Sequence, residues 1–316
     1  MIDMPPLQFA DLPGLRMGYY DAGPKDDPAP LVLLHGWPEL AFSWRHQIKA
    51  FAEAGRRVIA PDQRGYGATP GPADVEDCDL DHLTGDIAHL LDHLGIEKAV
   101  IVGHDWGGIV GWGFALRHAK RTAGIVGLNT PHYARPPADP IAILRRRHGD
   151  RMYIVQFQDS DAPDQVFAQR MEATFDALMR KPPSSPSGPT NLDLVSLVKN
   201  YDPARDTRAH VLDADERAVF VETFRRTGFA GGINWYRNFT RNWERAASLD
   251  HAIRVPCLMI TAQRDAVLPP SASQGMEALI ADLERHNVED SGHWTQQEQP
   301  DEVSRVILDW RRRRFG

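Results

Sequence analysis

The stretch Ala99-Val100-Ile101-Val102-Gly103-His104-Asp105-Trp106-Gly107-Gly108 restricts the fold more than any other part of this chain. A short β-branched run ends in glycine. One acidic residue follows, and Gly107-Gly108 then opens a helical pattern carried by Ile109, Val110, Trp112, Phe114, Ala115 and Leu116. That is a strand, a sharp turn and a helix. Glycines stand two residues to either side of Asp105, where the chain doubles back too tightly for Cβ atoms. Such a turn lifts its central side chain above the edge of a sheet. It also sets that side chain beside the N–H groups of a helix N-terminus, which favour an ionised carboxylate. A carboxylate held this way suits attack on a saturated carbon, giving an ester on the protein itself. An aspartate that merely N-caps the helix would use the same residue types, so the rest of the chain has to decide.

The apolar runs Leu31-Val32-Leu33-Leu34, Val58-Ile59-Ala60, Ile125-Val126-Gly127-Leu128 and Val255-Pro256-Cys257-Leu258-Met259-Ile260-Thr261 read as strands buried on both faces. Helical patterns alternate with them. One covers 43–54 and stops at Gly55; another, carried by Leu80, Leu83, Ile87, Leu90, Leu91 and Leu94, stops at Gly95. This alternation predicts an α/β fold with a mostly parallel, doubly wound sheet. Residues 7–23 suggest an antiparallel hairpin turning at Pro13-Gly14. A helix is expected from about Ala272, a last strand near 286–288 and a closing helix from Asp301. Between 131 and 250 no buried strand run appears, and helical patterns cover 165–179, 192–199, 213–226 and 233–247. The expected division is a core over 1–130, an inserted helical cap over 131–250 and the rest of the core over 251–316. The proline-rich stretch 182–189 is expected as a loop at the mouth of the cap.

The 316 residues, 42% hydrophobic and 25% charged, suffice for one such domain with its insertion. A net charge of −7 offers no basic field for nucleic acid. The cluster Arg311-Arg312-Arg313-Arg314 is expected to be the solvated last turn of the closing helix. His89 and His93, four apart, read as a solvent-facing pair rather than a metal site. Only Cys78 and Cys257 are present, which indicates neither a disulfide framework nor a thiolate zinc site. No apolar run reaches membrane-spanning length, and Met1-Ile2-Asp3-Met4-Pro5-Pro6 lacks a signal pattern, so a cytoplasmic protein is expected, with no membrane partner.

An ester on Asp105 needs a water activator to release it. Asp265 follows the run ending at Thr261, and His293 follows the predicted last strand. Both therefore fall on the rim of the sheet that carries Asp105. The order nucleophile, acid, histidine suits a triad in which Asp265 orients His293 and leaves its other ring nitrogen free as base. His35-Gly36-Trp37-Pro38 follows the first buried strand. The backbone N–H groups of Trp37 and Trp106 are placed to hold an oxyanion, and a cis Trp37–Pro38 bond would aim the former inward.

Taken together, His35-Gly36-Trp37-Pro38, Asp62-Gln63-Arg64-Gly65-Tyr66-Gly67, Gly103-His104-Asp105-Trp106-Gly107-Gly108, Asn129-Thr130-Pro131-His132 and Gly292-His293-Trp294 make the chain resemble an epoxide hydrolase of the α/β-hydrolase superfamily, of the soluble or microbial type. Tyr153-Ile154-Val155-Gln156-Phe157-Gln158 and Asn234-Trp235-Tyr236-Arg237-Asn238 are similar to that family's two cap tyrosine segments. The resemblance implies that Tyr153 and Tyr236 project from the cap toward Asp105 and activate the oxygen of an epoxide ring. It also implies a substrate pocket bordered by His35, Pro38, His104, Phe157 and Trp294. The expected partner is a small-molecule epoxide and no cofactor is expected; the oligomeric state is left open, a homodimer included. A haloalkane or fluoroacetate dehalogenase would use the same triad but needs halide donors in place of the tyrosine pair. A non-catalytic small-ligand receptor would not need an intact triad, and a serine esterase is disfavoured by the absence of serine at position 105.

Overall fold

The computed structural model describes residues 4–71, 74–183 and 192–316. Its centre is an eight-stranded sheet of β1 (Gln8–Leu12), β2 (Leu15–Ala22), β3 (Leu31–Leu34), β4 (Val58–Pro61), β5 (Ala99–His104), β6 (Thr122–Leu128), β7 (Cys257–Ala262) and β8 (Leu283–Val288). The spatial order is β1-β2-β4-β3-β5-β6-β7-β8. β1 and β2 form the antiparallel hairpin and β2 joins β4 antiparallel; from β4 to β8 every pairing is parallel.

The parallel strands other than edge strand β8 are buried on both faces, and their alternation sorts side chains into two cores. Leu31, Leu33, Val100, Val102, Leu258 and Ile260 pack on one face. Against them lie α1 (Arg45–Glu53), with Ile48 and Phe51, and the C-terminal helix (Pro300–Phe315), with Val303, Ile307 and Trp310. Val32, Leu34, Ile101, Ile125 and Met259 face the other side, toward α2 (Leu80–His93) and α3 (Trp106–Arg117). After β3 the chain steps to β4 on one side, and then to β5 on the other. The C-terminal ends of β3 and β5 therefore flank a topological switch point, where a crevice opens above the sheet.

Between Leu128 of β6 and Cys257 of β7 the named elements are helical: α4 (Pro140–His148), α5 (Tyr153–Asp159), α6 (Ala162–Gln169), α7 (Met171–Leu178), α8 (Leu194–Lys199), α9 (Ala214–Thr227), α10 (Ala230–Arg237) and α11 (Phe239–Arg245). The helix expected over 165–179 is two, broken at Arg170 (φ −116°, ψ 44°). That expected over 233–247 is also two, broken at Asn238, whose side chain reaches the carbonyls of Val75 and Asn234. The helix expected from Ala272 does not form. Short 3-10 turns, Pro270–Ser273 and Met276–Ala278, stand on either side of Gly275, whose φ of +85° interrupts any helix. Of the proline-rich loop, 184–189 lies outside the described residues. After β8 follow α12 (Thr295–Glu298) and the closing helix α13 (Pro300–Phe315).

The arginine run on α13 is not uniformly solvated. Arg312, Arg313 and Arg314 pair with Asp309, Glu284 and Asp282 at the surface, but Arg311 is fully buried. Its Nε donates to the Ala29 carbonyl at 3.1 Å and its guanidinium pairs with buried Asp27. Asp27 in turn accepts from the backbone N–H groups of Ala29 and Arg57. The pair ties α13 to the loop entering β3. Arg311→Ala would leave the Asp27 charge buried and unpaired, so the unfolding free energy should fall by about 3–5 kcal/mol. Urea unfolding should show this as a lower midpoint at an unchanged slope. Of the histidine pair, His93 is exposed and His89 only half-buried.

Candidate active site

β5 delivers Asp105 to the crevice with φ +51° and ψ −120°, a conformation that a residue other than glycine adopts only when its surroundings hold it there. The surroundings are tight. A Cβ on Gly107 would sit 1.9 Å from the Leu34 carbonyl oxygen, and one on Gly36 would sit 2.4 Å from Asp105 Cβ. The carboxylate does not cap α3, so the N-cap reading of Asp105 fails. Instead its Oδ1 accepts from the Trp37 N–H at 2.8 Å, and Thr130 Oγ1 donates to the Asp105 carbonyl at 2.8 Å. The Trp37–Pro38 bond is cis.

His293, in the loop after β8, places Nε2 3.6 Å from Asp105 Oδ2 and Nδ1 2.9 Å from Asp265 Oδ2. Asp265, just past β7, is buried. It accepts from Asn129 Nδ2 at 2.7 Å and from the N–H groups of Val267 and Leu268 at 2.8 and 3.0 Å. Burial alone would raise its pKa. The adjacent His293 and these donors outweigh that and hold the carboxyl well below the usual range. A carboxylate only accepts, so Nδ1 of His293 carries the proton shared with it. Burial disfavours charge on His293, but Asp265 and Asp105 together push its pKa well above the ordinary 6.5. The two flanking carboxylates thus favour the imidazolium form of His293.

Tyr153 at the start of α5 and Tyr236 on α10 meet above Asp105, their rings 5.7 Å apart and edge to face. Both are buried. Burial, with the negative charge of Asp105, raises both phenol pKa values, so each hydroxyl stays protonated. These two, with Asp105 and Trp106, line a cavity of about 560 Å³ that runs past Ile109 and Phe239. Exposed Tyr133 and Val267 also belong to its lining. A larger groove, about 850 Å³ and lined by His148, Arg151 and Arg205, includes none of Asp105, Trp106, Tyr153 and Tyr236 in its lining, though it reaches Met152 and Leu192 beside Tyr153.

The five residues expected to border the pocket lie outside this lining. His35 is fully buried and committed to backbone, with Nδ1 at 2.9 Å from the Gly36 carbonyl and Nε2 accepting from the Gln63 N–H. Pro38 and Phe157 are also buried, Phe157 packing edge-on to Trp37, Tyr153 and Tyr236 and so backing the pocket rather than facing it. Trp294 donates its indole N–H to the Leu178 carbonyl. His104 stands beside His293, with Nδ1 2.7 Å from Glu39 Oε2 and Nε2 2.7 Å from the His293 carbonyl.

Two residues at the site carry roles that the sequence did not assign, although Asn129 stands in one of the motifs quoted for the resemblance. Asn129, at φ +61°, holds Asp265 and accepts from Thr295 Oγ1. Glu39 is fully buried. Burial opposes its charge, yet His104 and the Gly36 N–H bring its carboxyl down to about 2. Its signal in the sequence is an acidic residue directly after a turn otherwise made of apolar and small residues.

A family model described as the alpha/beta hydrolase fold matches residues 29–300. Epoxide hydrolase A of Mycobacterium tuberculosis is 38% identical over 320 residues, covering 97% of this chain and 97% of that protein. Bifunctional epoxide hydrolase 2 of Mus musculus is 36% identical over 306 residues, covering 94% of this chain but only 54% of the mouse protein, so the chain spans about half the length of that relative. The crystal structure of Epoxide Hydrolase A from Mycobacterium thermoresistibile superposes with a TM-score of 0.86 at 35% identity, over 98% of each chain.

Proposed function

This chain belongs to the epoxide hydrolases of the α/β-hydrolase fold, and from that premise we propose that it converts an epoxide and water to a vicinal diol through a covalent ester on Asp105. Residues 131–250 act as a cap over a core of 1–130 and 251–316. The epoxide enters the apolar cavity with its ring oxygen toward Tyr153 and Tyr236. The Trp37 N–H holds one carboxylate oxygen of Asp105 in place, and the other attacks a ring carbon from the face opposite the C–O bond. That bond breaks, and its electrons pass to an oxygen that a phenol protonates.

The proton count closes on His293. Before attack, the imidazolium balances the two carboxylates. Ester formation removes the charge of Asp105, and with it part of what holds the proton on His293. That proton replaces the one the phenol gave up, so neutral His293 stands beside a neutral ester. Nε2 then takes a proton from water as the water attacks the ester carbonyl. The N–H groups of Trp37 and Trp106 receive the oxyanion; its collapse breaks the ester C–O bond, the leaving oxygen takes the second proton of that water, and the diol departs with Asp105 again a carboxylate and His293 again protonated. These side chains, the two backbone N–H groups and water take part in these steps.

The observation that carries this reading is the convergence of two buried, neutral phenols, from α5 and α10, over one carboxylate at a strained turn. A dehalogenase has no need of that pair. Tyr153→Phe or Tyr236→Phe should slow ring opening by about ten- to a hundredfold, each phenol partly replacing the other, and the double variant by about a thousandfold or more. Ester hydrolysis should be little changed. The measurement is pre-steady-state ring opening of a terminal aryl epoxide by the wild type and three variants, with chloroalkanes run in parallel. A double variant that opens the epoxide at the wild-type rate, or halide release without diol formation, contradicts the assignment.

A further inference from the structure

The hydrogen bonds around Glu39 do not end in the core. Gln297 on α12 donates Nε2 to Glu39 Oε1 at 3.0 Å and accepts at its own Oε1 from Arg45 at 2.7 Å, so its amide has one orientation. Arg45, at the start of α1 and buried, turns Nε to Glu216 Oε1 at 2.6 Å. Glu216 belongs to α9, in the helical layer. Its second oxygen accepts from the Asp213 N–H at 3.0 Å and completes the capping box that starts the helix. One turn further on, Phe220 packs edge to face on Phe42. This is where α9 docks on the core. From there a buried polar chain runs Glu216, Arg45, Gln297, Glu39, and divides. One branch ends on the Gly36 N–H, next to the Trp37 N–H that holds Asp105; the other passes through His104 to the carbonyl of His293.

We propose that Arg45 and Glu216 are positioning residues, and that docking of α9 on α1 sets, through Gln297 and Glu39, where the backbones of Gly36–Trp37 and His293 stand. The links of this buried network are 2.6–3.0 Å long, which leaves few alternative arrangements of similar energy, so a shift at one end is passed to the other. The inference rests on the covalent reading above and makes a separate demand on its two half-reactions. Ring opening depends on the two phenols, which are carried by α5 and α10, and on Asp105, which the network reaches at one point only, the Trp37 N–H. Ester hydrolysis depends on His293 and the two amides. A docking contact that only kept the helical layer in place would, when broken, displace the phenols, slowing ring opening and weakening substrate binding. A contact that positions His293 would instead slow hydrolysis.

The test uses the full-length protein and a terminal aryl epoxide, following formation and decay of the ester in Glu216→Gln, Gln297→Met and the double variant. Gln297→Met breaks the chain at its middle, removing one Arg45 partner but leaving the Arg45–Glu216 contact itself in place, so a misfolded Glu216→Gln protein leaves the test intact. Each single variant should slow ester hydrolysis about tenfold while ring opening stays within about threefold of wild type. The double variant should be no slower than the slower single, because both substitutions cut one chain. Hydrolysis at the wild-type rate in Gln297→Met, effects that multiply in the double variant, or slowed ring opening with normal hydrolysis each overturns the inference alone. Failure of any ester to form, in wild type and in His293→Gln, overturns the covalent reading and the inference with it.

Discussion

His293→Gln is expected to trap the enzyme as its ester. Glutamine keeps polar contact with Asp265 and fills similar space, but it cannot take a proton from water. Asp105 keeps its Trp37 N–H bond and its strained turn, so attack on the epoxide should proceed to a single adduct per chain. Hydrolysis should then slow by about a thousandfold, within the range that general-base catalysis supplies. Intact-protein mass spectrometry after mixing with excess epoxide should show the added mass of the substrate on this variant, and no comparable population on wild type. A folded, substrate-binding variant with neither adduct nor turnover would remove His293 from the role of base.

The same residue sets the pH dependence. His293 acts as base only when neutral, and the raised pKa means that its proton is lost only above the usual histidine range. In the ester one of its two carboxylate partners is gone, so the pKa falls back part of the way. Hydrolysis of the ester should therefore rise with pH to a plateau, its midpoint below that of His293 in the free enzyme. The Tyr153 and Tyr236 phenols stay protonated throughout, so ring opening should not fall in step as pH rises through that midpoint.

Much of this site is legible in the sequence because its parts stand at strand ends. Apolar runs locate β3, β5 and β7, a last strand is expected near 286–288 within the mostly polar β8, and a parallel sheet brings their C-terminal ends to one rim. His35-Gly36-Trp37, Asp105, Asp265 and His293 had to lie near one another once the sheet was recognised. What side chains do behind that rim is not legible. His35 and His104 belong to the same motifs as the residues that face the cavity, yet their ring nitrogens are spent on Gly36, Gln63, Glu39 and His293. No local spacing distinguishes a histidine that faces substrate from one that holds backbone. Glu39, Gln296 and Gln297 meet across more than 250 positions of chain, which no periodicity reveals.

The helices that went unseen have physical causes as well. α4 buries only Ile141, so its arginine-rich stretch carries almost no apolar stripe. α5 spans seven residues, barely two turns, too short for a repeat to declare itself. Conversely, Met276, Leu279 and Ile280 mimic a helical stripe, and Gly275 at positive φ prevents the helix. Arg311 looks like the first of four solvated cations. Its partner, Asp27, lies in a loop near the other end of the chain.

Covalent attack by Asp105 is the central claim, and the origin of one oxygen atom decides it. Asp105→Ala should abolish ring opening altogether, which shows need but not chemistry. The sharper measurement is a single turnover in water enriched in heavy oxygen, with enzyme in excess over epoxide, followed by mass analysis of both products. If the ester forms, the diol of the first turnover takes its new oxygen from Asp105 and is unlabelled. Water attacks the ester carbonyl, so the peptide containing Asp105 gains one heavy oxygen. A labelled first-turnover diol together with an unlabelled Asp105 peptide would mean that water attacks the epoxide directly, and would contradict covalent catalysis at Asp105.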